Sequence, residues 1–233
     1  MIKSIKKQFS QLTAAVALIG LSIAAQADAP QELEKKLTAI DSFKADFSQV
    51  ITDEFGTLID KSSGHFELKR PQLFRWVVEE PFEQQIVADG INLWQFDMDI
   101  EQINVSSLDQ TLANSPAALL SQAQLDVAEN YEVAAVKGEG DGVLIYHLTP
   151  RDPDALYEVL ILEFHSSDLV ALQVKDNLGQ ATLVDFTNVI MNPEFEDDHF
   201  EFVIPEGIDV IDSRNSIEGA ALEKSDILEK GDF

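Results

Sequence analysis

The chain contains no cysteine among its 233 residues. No disulfide can therefore brace the fold, no thiol can act as a nucleophile, and no lipid can be attached through a thioether. Basic residues are also scarce, because only 16 lysines and arginines stand against 42 aspartates and glutamates. The resulting net charge of −26 argues against direct binding to nucleic acid or to anionic membrane surfaces, since both would be repelled.

Long apolar runs are missing except near the N-terminus. Three lysines precede an apolar stretch over residues 12–25, and an Ala-x-Ala end follows at residues 25–27. The stretch is shorter than the roughly 20 residues that span a bilayer. We therefore interpret residues 1–27 as a cleaved signal peptide rather than a membrane anchor, and we expect a soluble protein of a Gram-negative periplasm.

The rest of the chain is expected to form one domain over residues 28–212, followed by an acidic tail at residues 213–233. Removal of the signal peptide leaves 13 basic and 42 acidic residues, which is a net charge of −29. Such a surface favours a basic partner or substrate, although solubility alone would also explain it. The content of aliphatic and aromatic residues is too high for a disordered chain.

Hydrophobic periodicity predicts a mainly β protein with a few helices. Leu33, Leu37 and Ile40 recur at helical spacing and predict an amphipathic helix over Pro30–Ile40. After this helix the period changes to two, and turn signals such as the Asp-Gly pair at 89–90 separate the segments. The eleven strand-like segments are 43–48, 64–69, 74–78, 85–88, 92–98, 103–105, 131–136, 143–149, 157–164, 169–176 and 180–188. This spacing predicts an antiparallel sheet or barrel.

Two regions depart from the regular strand pattern. Residues 106–123 are rich in Ala, Leu, Ser and Gln, and they predict helical turns with the better one at Pro116–Gln122. Near the C-terminus the pattern allows a last short strand pair at Phe200–Ile204 and Ile208–Ile211.

A search for catalytic motifs finds none of the common ones. There is no Gly-x-Ser-x-Gly elbow and no Gly-rich phosphate loop after a strand. The four histidines do not stand at metal-ligand spacing, and we interpret each as a surface or hydrogen-bonded residue: His65, His147, His165 and His199. We therefore predict no enzyme, no cofactor and no metal, with a hydrolase that uses paired carboxylates as a remote alternative.

Acidic residues alternate once in a way that resembles a calcium loop, at Asp97, Asp99 and Glu101. The glycine that such a loop needs for its sharp turn is missing, and the spacing to a bidentate glutamate does not fit. A hairpin tip is the better interpretation.

Bulky aromatic residues recur on what the pattern predicts to be one face of several strands. They are Phe43, Phe47, Phe66, Phe74, Trp76, Trp94, Phe96 and Phe186. In a small closed barrel these rings would fill the core, whereas in an incomplete or wide barrel they would line a cavity covered by the amphipathic helices. Such a lining suits acyl chains, because each methylene removed from water gains about 0.8 kcal/mol. The pattern alone leaves both interpretations open.

Several segments carry a resemblance to a known family. The most specific is Lys-Arg-Pro-Gln-Leu-Phe-Arg-Trp at 69–76, and Ser-Phe-Lys-Ala-Asp-Phe-Ser-Gln at 42–49, Asp-Gly-Ile-Asn-Leu-Trp at 89–94 and the segment 202–212 accompany it. Together they resemble the periplasmic outer-membrane lipoprotein carrier proteins, the LolA family, over about residues 28–212. The absence of cysteine favours the soluble carrier over the related receptor, which is anchored through an N-terminal cysteine.

The resemblance implies a fold and a function. The fold is an incomplete antiparallel β-barrel of about eleven strands covered by a helical lid. The function is that of a periplasmic chaperone, expected to be monomeric, whose cargo is acylated lipoproteins. It would take them from an inner-membrane ABC-type transporter to an outer-membrane receptor lipoprotein. The alternative is a periplasmic binding or stress-sensing module that uses the same barrel for a protein partner.

The resemblance also implies roles for individual residues. Arg70 would act as a latch that bonds backbone carbonyls of the lid segment Pro116–Leu120, although the sequence alone fits a solvated strand-end charge equally well. Leu37 would belong to the lid, and Phe74 would handle cargo and contact partners. The residues expected to form the cavity and its lid are Leu33, Leu37, Phe47, Phe66, Phe74, Trp76, Trp94, Phe96, Leu119 and Leu120.

Overall fold

The computed structural model describes residues 28–108, 120–121 and 126–214. The predicted signal peptide, Leu119, most of the predicted helix at Pro116–Gln122 and residues 215–233 lie outside this part of the chain. The domain boundaries predicted from the sequence therefore stay predictions.

One large open sheet dominates the fold, in the order β12-β6-β5-β4-β3-β2-β1-β11-β10-β9-β8-β7. Its strands are β1 (Ser42–Thr52), β2 (Leu58–Lys69), β3 (Leu73–Glu80), β4 (Gln84–Asp89), β5 (Asn92–Asp97), β6 (Gln102–Ser107), β7 (Tyr131–Lys137), β8 (Val143–Pro150), β9 (Tyr157–His165), β10 (Asp168–Asp176), β11 (Ala181–Met191) and β12 (Asp209–Asp212). All neighbours are antiparallel except β12, which pairs in parallel with β6. The sheet does not close, so the predicted incomplete barrel is confirmed.

Two helices accompany the sheet in the described part of the chain, α1 (Ala29–Thr38) and α2 (Val127–Asn130). Helix α1 begins with a proline in its first turn, has an acidic residue there, and ends with two lysines that suit its negative C-terminal pole. It confirms the helix predicted at Pro30–Ile40 to within two residues. Among the described residues, no helix combines the length and the apolar character required to cross a bilayer.

The hydrophobic core lies on one side of the sheet, which we call the inner face. Alternate residues of each strand point to this face, and those of the central strands pack into one cluster with Leu33 and Leu37 of α1. Both leucines are fully buried. The amphipathic helix therefore covers the apolar inner face, as its period of hydrophobic residues requires.

Asn192 joins α1 to the sheet. Its side-chain oxygen accepts hydrogen bonds from the backbone amides of Asp41 (2.8 Å) and Ser42 (3.2 Å), and its amide nitrogen donates to the carbonyl of Ala39 at 3.0 Å. The connection between α1 and β1 is thus tied to the end of β11, which sets where the helix lies on the inner face.

In the C-terminal segment (residues 193–208) one of the strands predicted from the sequence does not form. No strand forms at Phe200–Ile204, because this segment crosses the sheet instead of extending it. The carbonyls of His199 and Glu201 accept hydrogen bonds from the Arg75 guanidinium rather than from a neighbouring strand. The partner predicted at Ile208–Ile211 does form a strand, β12, but it pairs with β6.

Gly64 occupies a position in β2 where no side chain fits. A β-carbon built there would lie 1.8 Å from the carbonyl oxygen of Val77 in β3, next to a register shift between the two strands. We expect Gly64→Ala to destabilise the fold by about 3 kcal/mol or more, since the backbones must separate. Urea unfolding measures this loss. Ser63→Ala, one residue earlier, is the control and should change stability by less than about 0.5 kcal/mol; equal midpoints for the two variants would contradict the close approach.

Candidate functional site

Six of the eight aromatic residues predicted to line a cavity lie together on the inner face: Phe43, Phe47, Phe66, Phe74, Trp76 and Phe186. Phe66 is central, with its ring centroid 5.2 Å from that of Trp76 and 6.4 Å from that of Phe74. The rings of Phe47 and Trp76 are 4.0 Å apart. In this conformation the rings contact one another directly, so the inner face carries a continuous aromatic surface.

Burial along the inner face changes from one end of the sheet to the other. We call the end with the β2–β3 turn the latch end, and the end with the β1–β2, β3–β4, β8–β9 and β10–β11 turns the far end. On β3, Phe74 near the latch end is buried, whereas Trp76 and Val78 towards the far end are partly exposed. Leu172 and Val174 of β10 show the same trend. The aromatic surface is therefore sealed at the latch end and more open at the far end.

The cover at the latch end consists of α1 and residues 120–121. Leu120 is buried, and the backbone amide of Gln72 donates a hydrogen bond to the carbonyl of Ser121 at 2.8 Å. On the other side, the Lys36 ammonium donates to the carbonyl of Ser166 in the β9–β10 turn at 2.5 Å. Both covering elements are thus attached to turns of the sheet through polar contacts.

Arg70 joins the two covering elements to each other. Its Nε donates to the carbonyl of Leu120 at 2.8 Å, and its Nη1 donates to the carbonyl of Leu37 at 2.6 Å. Its Nη2 is buried and has no hydrogen-bond partner among the described residues. Burial lowers the pKa of the guanidinium, and the charge of Asp41 partly opposes this. A guanidinium remains charged under such a shift, so it acts as a fixed donor fork.

The prediction that all the aromatic residues share the inner face is wrong for Trp94 and Phe96. In β5 it is Leu93 that packs into the inner cluster, so its neighbour Trp94 points to the opposite, outer face. There the ring of Phe202 stacks on Trp94 at 5.1 Å and meets Phe96 edge-on at 6.4 Å. The two rings therefore hold the C-terminal segment, and they are not part of the inner surface.

A polar network on the outer face fastens the same segment, and sequence reasoning did not find it. The Glu67 carboxylate accepts hydrogen bonds from Lys44 and His199, both at 2.7 Å, although its side chain is only 5% exposed. Burial would raise the pKa of Glu67, but the two hydrogen bonds outweigh this and hold the pKa below its ordinary value. The only signal in the sequence was a charged residue between two apolar ones, Phe66 and Leu68.

Three other polar residues singled out in the sequence, His65, His165 and Asp97, have local partners. His65 and His165 lie beside Glu79 and Glu163, at 3.5 and 2.8 Å. Asp97 accepts hydrogen bonds from the backbone amides of Asp99 and Ile100, which confirms the hairpin tip. In the parts of the chain that the structure describes, no group of three or more histidines and carboxylates is arranged to hold a metal ion.

The sequence comparisons with known proteins point to one family. Residues 38–203 match the family described as outer membrane lipoprotein carrier protein LolA. A protein named outer-membrane lipoprotein carrier protein from Chromohalobacter salexigens is 38% identical over 191 residues, 82% of this chain and 90% of its own. One of the same name from Azotobacter vinelandii is 40% identical over 189 residues, 80% and 90% of the two chains. The crystal structure of a LolA superfamily protein from Nitrosomonas europaea is 18% identical and covers 75% of this chain and 98% of its own, with a TM-score of 0.42.

Removal of the Glu67 charge tests the outer network. We expect Glu67→Gln to lower the free energy of unfolding by about 2–3 kcal/mol near neutral pH, because Lys44 and His199 lose a buried charged acceptor. The folded-state pKa of Glu67 is lowered, so its stabilisation is complete above the ordinary value of 4.5 and is lost as the pH falls through the folded-state value.

The two proteins should therefore differ most above pH 4.5 and converge in stability in more acidic solution, as measured by urea unfolding across a pH series. Glu79→Gln is the matched control, because Glu79 is 65% exposed and its loss should cost less than about 0.5 kcal/mol. A difference between Glu67→Gln and the unaltered protein that did not depend on pH would contradict the role of the charge.

Proposed function

This chain belongs to the LolA family of outer-membrane lipoprotein carrier proteins, and we propose that it binds the acyl chains of lipoproteins released from the inner membrane and carries them to the outer membrane. The observation that carries this proposal is the aromatic inner surface beneath a cover that polar contacts attach to the sheet. A cover held by a few polar contacts can be separated from the sheet and returned to it, and a carrier must expose and hide the same surface.

Physical chemistry supports acyl chains as the cargo. Each methylene taken out of water gains about 0.8 kcal/mol, and several long chains on one protein cannot cross an aqueous compartment without an apolar lining. The rings of Phe47, Phe66 and Trp76 contact each other in this conformation. Acyl chains would therefore enter by separating α1 and residues 120–121 from the sheet, replacing ring–ring contacts with ring–chain contacts of similar apolar character.

Arg70 fits the part of a reversible latch. Its hydrogen bonds to Leu37 and Leu120 connect α1, the 120–121 segment and the β2–β3 turn, so breaking them separates the two covering elements from each other. Hydrogen bonds to a charged donor contribute about 1.5–3 kcal/mol each. A latch of this strength keeps the empty protein closed and can still be opened by the burial of a few methylenes.

The partners and the cellular location that we propose rest on membership of the family and on the negative net charge of the chain. We infer that residues 1–27 direct the chain to the periplasm and are removed, that residues 28–212 form the carrier domain, and that the protein acts without catalysing a reaction. Its donor would be an inner-membrane ABC-type transporter, and its acceptor would be an outer-membrane receptor lipoprotein. The net charge of −29 expected for the mature chain would favour basic docking surfaces on both.

Mass spectrometry of the protein isolated from periplasm tests the proposed function. We expect acylated lipoprotein to accompany the unaltered protein and to be lost from Phe74→Glu, because the new carboxylate would face acyl chains without a partner. Val203→Glu is the control, since Val203 is 80% exposed on the C-terminal segment. Circular dichroism checks that each variant is folded. Absence of acylated cargo from the unaltered protein would contradict the carrier function.

Replacement of Arg70 tests the latch. Arg70→Leu should open the cover and change the fraction of lipoprotein released to receptor-bearing membranes in a fixed time, with the fold intact by circular dichroism. Arg70→Lys should rescue this poorly, because an ammonium cannot reproduce the two-pronged donor geometry. Lys69→Met removes a neighbouring charge that has no hydrogen bond or ion pair among the described residues, and it should behave like the unaltered protein. Unchanged release by Arg70→Leu would contradict the latch.

A further inference from the structure

All three tyrosines of the chain lie on neighbouring strands at one edge of the sheet, on β7, β8 and β9. Each of them points to the inner face: Tyr146 belongs to the buried cluster, and Tyr131 and Tyr157 pack against it. The inner face is otherwise lined mainly by aliphatic and phenylalanine side chains. Three hydroxyl groups on an apolar surface need an explanation, because each must find a hydrogen-bond partner or remain unsatisfied.

A bulge in β9 turns Tyr157 to the inner face. In β9 the buried residues are Leu160, Leu162 and Phe164, so regular alternation would point Tyr157 outward. The pairing with β10 shifts register at this point, since Lys175 is opposite Val159 but Asp176 is opposite Tyr157. The skipped residue reverses the alternation, which is a common use of a bulge.

Tyr131 and Tyr157 meet through their hydroxyl groups, whose oxygens are 2.7 Å apart. Two hydroxyls carry two protons, and their mutual hydrogen bond uses one of them. The second proton remains available to an external acceptor, and the first hydrogen bond polarises it. Burial, together with the hydrogen bond to Tyr131, raises the pKa of Tyr157, so the Tyr157 hydroxyl keeps its proton at physiological pH.

The hydroxyl pair lies at the far end of the sheet, next to the fully buried Leu148 of β8 and Leu160 of β9. Tyr131 begins β7 and Tyr157 begins β9, and both remain partly exposed. The β8–β9 and β10–β11 turns at this end carry Leu156 and Leu178, which are 61% and 86% exposed. A donor therefore lies just inside an apolar rim, at the opposite end of the sheet from Arg70.

We propose that the Tyr131–Tyr157 hydroxyl pair binds an ester carbonyl at the root of the cargo's acyl chains. This inference rests on the proposed carrier function and adds the position of the lipid to it. The chains themselves are apolar and lie against the aromatic surface, but each begins at a carbonyl that can accept a hydrogen bond and donate none. Once the lipid is inside, this carbonyl has lost water, and a hydroxyl just inside the rim replaces it. The chain roots then stay at the far end, with the tails directed towards the latch end.

Binding of two synthetic lipopeptides tests the proposal. One carries two palmitoyl chains in ester linkage on an S-glyceryl cysteine, and its matched analogue carries the same chains in ether linkage without carbonyls. We expect Tyr131→Phe/Tyr157→Phe to bind the ester lipopeptide about fivefold more weakly than the unaltered protein does. Affinity for the ether lipopeptide should not change, because the variant keeps both rings and the ether offers no carbonyl.

Tyr146→Phe is the control, because Tyr146 is fully buried and its hydroxyl, which lies near the Glu32 carboxylate, makes no hydrogen bond of ordinary geometry with the described residues. It should leave both affinities unchanged. Equal losses for the two lipopeptides in the double variant would mean that the hydroxyl pair only joins β7 to β9 and would overturn the proposal. No loss for the ester lipopeptide, or the same loss in Tyr146→Phe, would also overturn it. If the unaltered protein bound neither lipopeptide, the carrier function itself would be contradicted.

Discussion

The need to cover an apolar sheet that does not close shapes the whole molecule. Twelve strands in an open sheet leave an inner face of aromatic and aliphatic side chains that water would otherwise reach. Helix α1 and residues 120–121 supply the cover, and Arg70 joins them to the turn between β2 and β3. Apolar burial drives the cover onto the sheet, while a few directed hydrogen bonds determine where it sits. This division of roles is what the proposed carrier function requires of its cover.

The outer face meets a different requirement. In the proposed function the cover moves while the strands that carry the inner aromatic residues keep their positions, and the C-terminal segment crosses these strands on the outer face. It is held by the buried charge of Glu67, by the guanidinium of Arg75 and by the stacking of Phe202 on Trp94. A buried charge with good partners costs much to break, so this side is suited to remain rigid while the inner side opens.

The two ends of the inner face also differ in chemistry. At the latch end, Arg70 is a charged donor used by the protein's own carbonyls, and burial of Phe74 seals the surface. At the far end, the partly exposed tyrosine pair retains a neutral donor. A neutral donor suits an ester carbonyl, since a charged one would lose more hydration on binding. The proposed direction of the cargo follows from this difference.

The sequence by itself determined the local structure and the family. Period-two alternation predicted the strands β1–β11, and the 3.6-residue period at Leu33 and Leu37 predicted α1. The segment at 69–76 pointed to the LolA family. All three signals could be found in the sequence because they depend only on residues that are close along the chain. The prediction that Trp94 lies on the inner face was wrong, because Leu93 occupies the inner position in β5. Tyr157 points to the inner face because of a bulge in β9, which the pairing with β10 defines. The Glu67–His199 contact joins residues 132 positions apart. Only the tertiary structure decided these features, because strand register and long-range pairing have no signal in a local pattern.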